Sequence, residues 1–146
     1  MVVYNRGAKA PFGFGFKKSY EEDVVQNGIV GYLRGQGYLL TSTGAGLIKS
    51  ARTQITMLSL GYLKGSPDII VWIKGGTLNI ECKAPKKYCM SRKTGKMIVY
   101  KQGGVQSDSQ KQFEGEIKGI EGHHYIVATC SEDVVNYIKE NGIEPR

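Results

Sequence analysis

Two carboxylates and an ammonium lie close together in the stretch Pro67–Lys83: Asp68, Glu81 and Lys83. Between them run Ile69-Ile70-Val71-Trp72-Ile73-Lys74, then Gly75-Gly76, then Thr77-Leu78-Asn79-Ile80. Two strand-like runs around a Gly-Gly pair are a hairpin signal. With Gly75-Gly76 as the loop, Lys74 pairs with Thr77, Asp68 lies across from Lys83, and Glu81 lies across from Ile70. Alternation along a strand then puts Asp68, Glu81 and Lys83 on one face. It puts Ile69, Val71, Ile73, Leu78, Ile80 and Cys82 on the other, as core. Carboxylate oxygens are the donors that hard divalent cations take, so this face has the chemistry of a Mg²⁺ or Mn²⁺ site with a fixed cation beside it. The plainer reading is a cross-strand Asp–Lys pair on an exposed face, worth under roughly 1 kcal/mol. Charge distribution favours the first: from Val24 to Gln106, Asp68 and Glu81 are the only acids in a segment rich in Lys and Arg.

The flanking chain must supply the elements that hold these groups. Ser19 to about Gln36 reads as a helix opened by Ser19-Tyr20-Glu21-Glu22, an S-x-x-E capping box. Glu22, Gln26, Ile29 and Leu33 recur on one helical face. Glu22 either faces the same groove as the hairpin carboxylates or only caps its helix, and Glu21 is the alternative acid. Gly37–Thr43, with Tyr38-Leu39-Leu40-Thr41-Ser42 at its centre, reads as a strand. Ser50–Leu60 reads as a helix ended by Gly61; it either brings Arg52 toward the start of the hairpin or leaves it on a solvated face. Ser107-Asp108-Ser109-Gln110 is an S-x-x-Q box opening a further helix whose inner stripe is Gln110, Phe113, Ile117 and Ile120. Gln110 stands at the entry of that face, where it can hold Lys83 or a water, and Lys111 can reach a phosphate. His124–Cys130 reads as a buried strand, and Ser131 to Asn141-Gly142 as a last helix. The order is helix, strand, helix, strand, strand, inserted hairpin, helix, strand, helix, which is an α/β layout with a mixed sheet flanked by helices.

The insertion, residues 85–104, reads as a second hairpin with a basic tip: Tyr88-Cys89-Met90, then Ser91-Arg92-Lys93-Thr94-Gly95-Lys96, then Met97-Ile98-Val99-Tyr100. From Lys83 to Lys101 there are seven bases and no acid. Lys86, Lys87, Arg92, Lys93 and Lys96, interleaved with tyrosines, suit contact with nucleic-acid phosphates. The competing reading is an edge hairpin guarded by lysines against aggregation.

At 146 residues the chain is long enough for one core. Its net charge of +7 points to nucleic acid or an anionic surface. The charge is uneven: Asp108–Arg146 holds eight acids and four bases, whereas Met1–Lys18 holds four bases, no acid and a Phe12–Phe16 aromatic run. Residues 1–18 read as an irregular basic arm. Three cysteines, Cys82, Cys89 and Cys130, match no zinc spacing, and an odd number suits a reducing compartment. His123-His124 opens a strand rather than a zinc site. No run of roughly 18 apolar residues occurs, so no membrane span is expected. No leader h-region opens the sequence either.

The set Pro67-Asp68, Glu81-Cys82-Lys83, with Glu22 and Gln26 upstream and Ser107-x-x-Gln110 downstream, resembles the PD-(D/E)xK nuclease superfamily. Within it the chain is most similar to the stand-alone virus-type replication-repair nuclease (VRR-NUC) family, over roughly Ser19 to Val127. The resemblance implies a restriction-endonuclease-like core over residues 19–146. It implies Asp68, Glu81 and Glu22 as metal ligands assisted by the Cys82 carbonyl, Lys83 as the catalytic lysine, and Gln110 as a helix-borne glutamine. It also implies a Mg²⁺- or Mn²⁺-dependent endonuclease, a homodimer acting on branched DNA in replication, repair or recombination, in the cytoplasm of a prokaryotic or virus-infected host cell. A Holliday junction resolvase and a restriction-type nuclease share that core. A DNA-binding module that has lost catalysis, or a basic structural protein with an incidental motif, are the readings of another class. The insertion at 85–104 is longer than the usual connection and bears on substrate geometry.

Overall fold

The computed structural model describes residues 20–44, 51–61 and 63–146. The basic arm at residues 1–18 and the Ser19 cap lie outside the described residues. The elements are α1 (Tyr20–Gly35), β1 (Leu39–Ser42), α2 (Ala51–Ser59), β2 (Ile69–Ile73), β3 (Gly76–Cys82), β4 (Lys87–Met90), β5 (Met97–Lys101), α3 (Asp108–Lys118), β6 (His123–Ala128) and α4 (Ser131–Asn141). The order read from hydrophobic periodicity is the order found.

One four-stranded mixed sheet runs β1-β2-β3-β6, and β4-β5 forms a separate two-stranded ribbon. β2 pairs antiparallel with β1 on one side and with β3 on the other, and β6 joins β3 in parallel. A parallel neighbour needs a long crossover, and here the connection contains the ribbon and α3. The core face is the apolar half of the alternation: Ile69, Val71, Ile73, Leu78, Ile80 and Cys82 are buried there with Ile29 and Leu33 of α1 and Val134 and Ile138 of α4. Burying such side chains contributes about 1.5–3 kcal/mol each.

The hairpin register differs from the sequence expectation. Ile73 pairs with Gly76, Trp72 with Thr77 and Ile69 with Ile80, so the loop is Lys74-Gly75 and Gly76 already belongs to β3. Gly75 takes the left-handed turn conformation at φ 86°. Gly76 is needed for a different reason: a β-carbon there would lie 1.7 Å from the Gly122 carbonyl oxygen, at the spot where Thr77 N–H donates to that same oxygen at 3.2 Å. The doublet thus serves a turn and a close backbone approach at the start of the β3–β6 ladder separately. The slip is two residues in pairing sum, so faces are conserved while partners change. In this register Asp68 stands opposite Glu81, not Lys83.

Three boundaries move for local reasons. β6 stops at Ala128 because Asp133 Oδ2 accepts from Thr129 N, Thr129 Oγ1 and Cys130 N, at 2.8, 3.0 and 3.3 Å. Burial pushes the Asp133 carboxyl up, but these hydrogen bonds outweigh it and hold it below its usual value. α3 ends at Lys118 with Gly119 as its C-cap, so Ile120 falls outside the helix and is exposed rather than continuing the inner stripe. β1 begins at Leu39, since Tyr38 turns inward and its hydroxyl donates to the Ile143 carbonyl at 3.0 Å. Among the described residues no helix is long and apolar enough to cross a membrane.

Candidate active site

The polar half of the alternation is buried as well at one end of the sheet. Asp68, Asn79, Glu81 and Lys83 are all buried, Glu81 to 2% exposure. They reach this state because α3 lies over this face: Phe113 stacks obliquely on Tyr125 of β6 with ring centroids 6.2 Å apart, and Tyr125 pairs in register with Asn79.

Each acid is fixed by backbone geometry nearby. The Thr43 hydroxyl donates to the Pro67 carbonyl at 2.5 Å, and Thr43 N–H donates to the Asp68 carbonyl at 3.0 Å. Together they clamp the lead-in to β2. Across the hairpin, Cys82 N–H donates to Asp68 Oδ2 at 2.8 Å. The Cys82 side chain itself points into the core and is 1% exposed, so any ligand role of this residue rests with its backbone. Lys83 continues the β3–β6 ladder through its N–H to the Ala128 carbonyl at 2.9 Å.

Glu81 is the convergence point. Its Oε1 is 2.8 Å from Lys83 Nζ, both side chains nearly excluded from water at 3% and 11% exposure. The same oxygen accepts from Gln110 Nε2 at 2.5 Å. Gln110 is oriented by the capping box that opens α3: its Oε1 accepts from Ser107 N–H at 2.8 Å, and its own N–H donates to Ser107 Oγ at 3.3 Å. With the amide oxygen occupied at Ser107, the NH₂ end faces Glu81. One side chain therefore satisfies a helix terminus and orients a buried carboxylate.

Glu22 approaches from the first turn of α1, on the other side of the returning chain at Gly104. A β-carbon on Gly104 would lie 3.1 Å from Glu22 Oε1, 3.2 Å from Lys83 Cδ and 3.3 Å from Ala84 N. Gly104 N–H donates to the Ala84 carbonyl at 2.9 Å. Glu22 and the Lys83 stem thus line the same small gap. Gln26, one turn on, donates to Ser42 Oγ at 3.2 Å.

Glu21 points away from this gap. It is paired with Lys87 of β4 and, at 2.9 Å, with Lys101 of β5. The hydrogen bonds from the two lysines hold its carboxyl below its usual value. Lys87, expected as a phosphate contact, is committed to the base of the ribbon. Lys86, Arg92, Lys93 and Lys96 are exposed on the connecting segment and ribbon tip, Lys111 is exposed in the first turn of α3, and Arg52 is exposed on α2.

Among the described residues no three Asp, Glu, His or Cys side chains draw together as a ready cation cage. The donor set nevertheless has the chemistry of one. Asp68 and Glu81 are buried oxygen donors at opposed cross-strand positions, and Glu22 lines the adjoining gap. With Lys83 the four groups carry a formal charge of −2. Of this, the buried Asp68, Glu81 and Lys83 carry −1 and the half-buried Glu22 the rest; buried negative charge is costly unless balanced, and a hard divalent cation balances it with oxygen ligands. Asp68 and Glu81 are the residues that would hold such an ion, with Glu22 nearest to complete the set.

Gly104, Tyr125 and the anchoring role of Glu21 escaped the sequence reading. Burial, then the Glu81 carboxylate, push the Tyr125 phenol well up, so it stands as a neutral wall of the site. The Gly103-Gly104 doublet was the available signal for close chain approach, whereas nothing in sequence separated Glu21 from Glu22. Compared with known proteins, the chain matches no family model, no curated protein and no solved structure.

Proposed function

We propose that this chain is a Mg²⁺- or Mn²⁺-dependent DNA endonuclease of the PD-(D/E)xK type, similar to the stand-alone virus-type replication-repair nucleases and selective for branched DNA such as flaps or junctions. The observation that carries the reading is Glu81 held at one oxygen by both Lys83 and Gln110, opposite Asp68, at a buried sheet end. A bare ion pair on a hairpin face needs neither the burial nor the glutamine. The sheet order β1-β2-β3-β6, with α1 ahead of it and α3 between β3 and β6, is consistent with a restriction-endonuclease-like core.

A divalent ion held by Asp68 and Glu81 supplies charge neutralisation and Lewis-acid polarisation at a phosphoryl group. The chain's own part is orientation and charge. Gln110 fixes the Glu81 carboxylate. The Lys83 ammonium, steered by Glu81, stabilises negative charge developing at phosphorus or orients the attacking water. Lys111 and the ribbon cations hold the flanking phosphates. A second copy of the chain belongs to this reading as the partner that presents two such sites to one branched substrate.

The absence of a preformed three-group cage among the described residues favours one other reading, a DNA-binding module without chemistry. Cleavage of labelled flap, splayed-arm, four-way-junction and duplex DNA with Mg²⁺ or Mn²⁺ separates the two. The nuclease reading expects ion-dependent cleavage of at least one branched substrate, lost in Glu81→Gln. Binding without cleavage across the whole panel leaves the module, and full activity in Glu81→Gln removes the site assignment. Paired symmetric cuts in the four-way junction would mark a resolvase, and sequence-dependent duplex cuts a restriction-type enzyme.

A further inference from the structure

Among the described residues the ribbon is built unlike the main sheet. Every residue of β5 is exposed. Met90 pairs with Met97 and Tyr88 with Val99, so these four side chains share one face, and all are exposed, the two methionines at 66% and 62%. An isolated two-stranded hairpin is marginal in water, and a contiguous exposed apolar face marks a binding surface. The ion pairs with Glu21 tie down only its base. At the other end, Met90 and Met97 are the last pair before the turn that carries Arg92, Lys93 and Lys96, all exposed.

We propose that the ribbon tip is a DNA-unstacking wedge: Met90 and Met97 enter a base step while Arg92, Lys93 and Lys96 grip the phosphates on either side. Charge selects this occupant over a protein surface or a second copy. The tip has three cations and no acid, so the side chains that surround the apolar pair match a polyanion. Flexible apolar side chains inserted between base pairs unstack and kink the duplex, and thioethers adapt to irregular gaps. Unstacking is cheapest where stacking is already interrupted, so the wedge favours branch points over continuous duplex.

Both ends of the ribbon leave from the mouth of the candidate active site, where Gly104 N–H meets the Ala84 carbonyl. From Ala84 to Met90 the extended chain reaches roughly 20 Å at about 3.3 Å per residue. That spans about six nucleotides at ~3.4 Å each. Resting on the endonuclease reading, the scissile phosphate then lies within about six nucleotides of the unstacked step.

The test is 2-aminopurine fluorescence of splayed-arm DNA labelled at the branch, titrated with the full chain in EDTA so that no cleavage occurs. The wild type is expected to raise the signal several-fold. Met90→Ser/Met97→Ser is expected to lose most of that rise while keeping its folded circular dichroism spectrum and its salt dependence. Met90→Leu/Met97→Leu keeps the rise. The preference for branched over plain duplex narrows by roughly tenfold in the serine variant. The proposal is overturned if the wild type binds without a fluorescence rise, or if the serine variant unstacks like the wild type. It is equally overturned if sedimentation shows that the serine substitutions dissociate a dimer without changing the fluorescence, since the face would then cover a second copy. A fluorescence rise with no cleavage under any divalent ion supports the wedge and removes the endonuclease reading. Ion-dependent cleavage with flat fluorescence does the opposite.

Discussion

The C-terminal end of β3 and the β4–β5 ribbon are separated by only a few residues, yet they solve opposite problems. At the end of β3, charged groups are withdrawn from water and hold one another: Glu81 with Lys83 and Gln110, Asp68 with the Cys82 N–H. On the ribbon, apolar groups are left in water beside unburied cations. Burial of charge is tolerated only with several fixed partners, and the first region supplies them; groups held in this way are what the proposed chemistry would use. Exposure of apolar surface is tolerated where a ligand later covers it, so the second region suits recognition. Each contrast in environment implies a contrast in mutational response.

The largest effect is expected at the buried pair. Glu81→Gln keeps volume, removes the charge that Lys83 opposes, and is expected to lower ion-dependent cleavage at least about a thousandfold. Glu81→Ala is a poorer probe, because it also removes the oxygen that accepts from Lys83 and Gln110 and leaves a cavity, and it costs about 3–5 kcal/mol of stability. Thermal melts beside cleavage rates distinguish the two: loss of activity with a near-native melting temperature in Glu81→Gln locates the defect in the chemistry. Equivalent substitution of a ribbon methionine is expected to leave the melting temperature unchanged.

Gln110 comes next and separates helix capping from site organisation. Glutamate also serves at this position of a capping box, so Gln110→Glu keeps α3 stable. It replaces the amide that donates to Glu81 with a second carboxylate. Activity is expected to fall about 10–100-fold, as for other residues that orient a ligand. A full cap loss, by contrast, would register as about 0.5–2 kcal/mol in stability. Activity unchanged in Gln110→Glu would reduce Gln110 to a cap.

On the ribbon the expected loss is in binding, not turnover. Changing Arg92, Lys93 and Lys96 to Gln removes up to three phosphate contacts, so the slope of log affinity against log salt falls by up to about 2.7. Cleavage at saturating DNA is expected to stay near wild type. An unchanged slope would leave the tip cations as guards of an edge hairpin.

The difference between the regions also explains what could be read from sequence. Alternation in Ile69–Ile73 and Thr77–Cys82 made the core face legible, since period-2 patterning is a direct record of which side is buried. It also kept Asp68, Glu81 and Lys83 on one face despite the wrong hairpin loop, because the register slipped by an even number. The partner of Asp68 was misread because Gly75-Gly76 looks like a symmetric turn. The close approach of the Gly122 backbone to Gly76 breaks that symmetry, and this contact lies far away in sequence. The capping box foretold Gln110's place at the start of α3, but its second bond, to Glu81, depends on tertiary packing. The Lys87–Glu21 pair was hidden for the same reason: a lysine in a basic run gives no local sign that a glutamate on α1 pairs with it.

Gly104 tests whether Glu22 belongs to the buried region. Gly104→Ala places a methyl group 3.1 Å from Glu22 Oε1 and 3.2 Å from Lys83 Cδ. It also lies 3.3 Å from the Ala84 backbone nitrogen, so the change overpacks the gap at about 1–3 kcal/mol. If Glu22 contributes to the site, displacing it lowers cleavage by roughly tenfold beyond what the fall in melting temperature accounts for, and Glu22→Gln, which leaves Gly104 and Lys83 untouched, lowers it by a similar factor. If Glu22 serves only its helix, cleavage follows stability and stays near wild type.

The smallest effect is expected where the two regions meet. Glu21 anchors the ribbon through Lys87 and Lys101, one residue before Glu22 lines the gap beside Lys83. Its folded-state value is held below the ordinary 4.5 by those two hydrogen bonds. A depressed carboxylate favours the anchored state at pH above its unfolded value, and that contribution disappears as pH falls through the lowered folded value. Because Glu21 is solvent-accessible and screened by salt, the consequence is local: the ribbon base loosens while the core stays folded. Amide NMR signals of β4 and β5 are expected to shift on acidification below about 4.5, and more so at high salt, with those of β2 and β3 unmoved. In Glu21→Gln the ribbon signals should already sit at the loosened position at neutral pH and no longer follow the acid titration. Core and ribbon signals moving together in the wild type would mean that the two regions unfold as one unit, and the contrast drawn between them would fail.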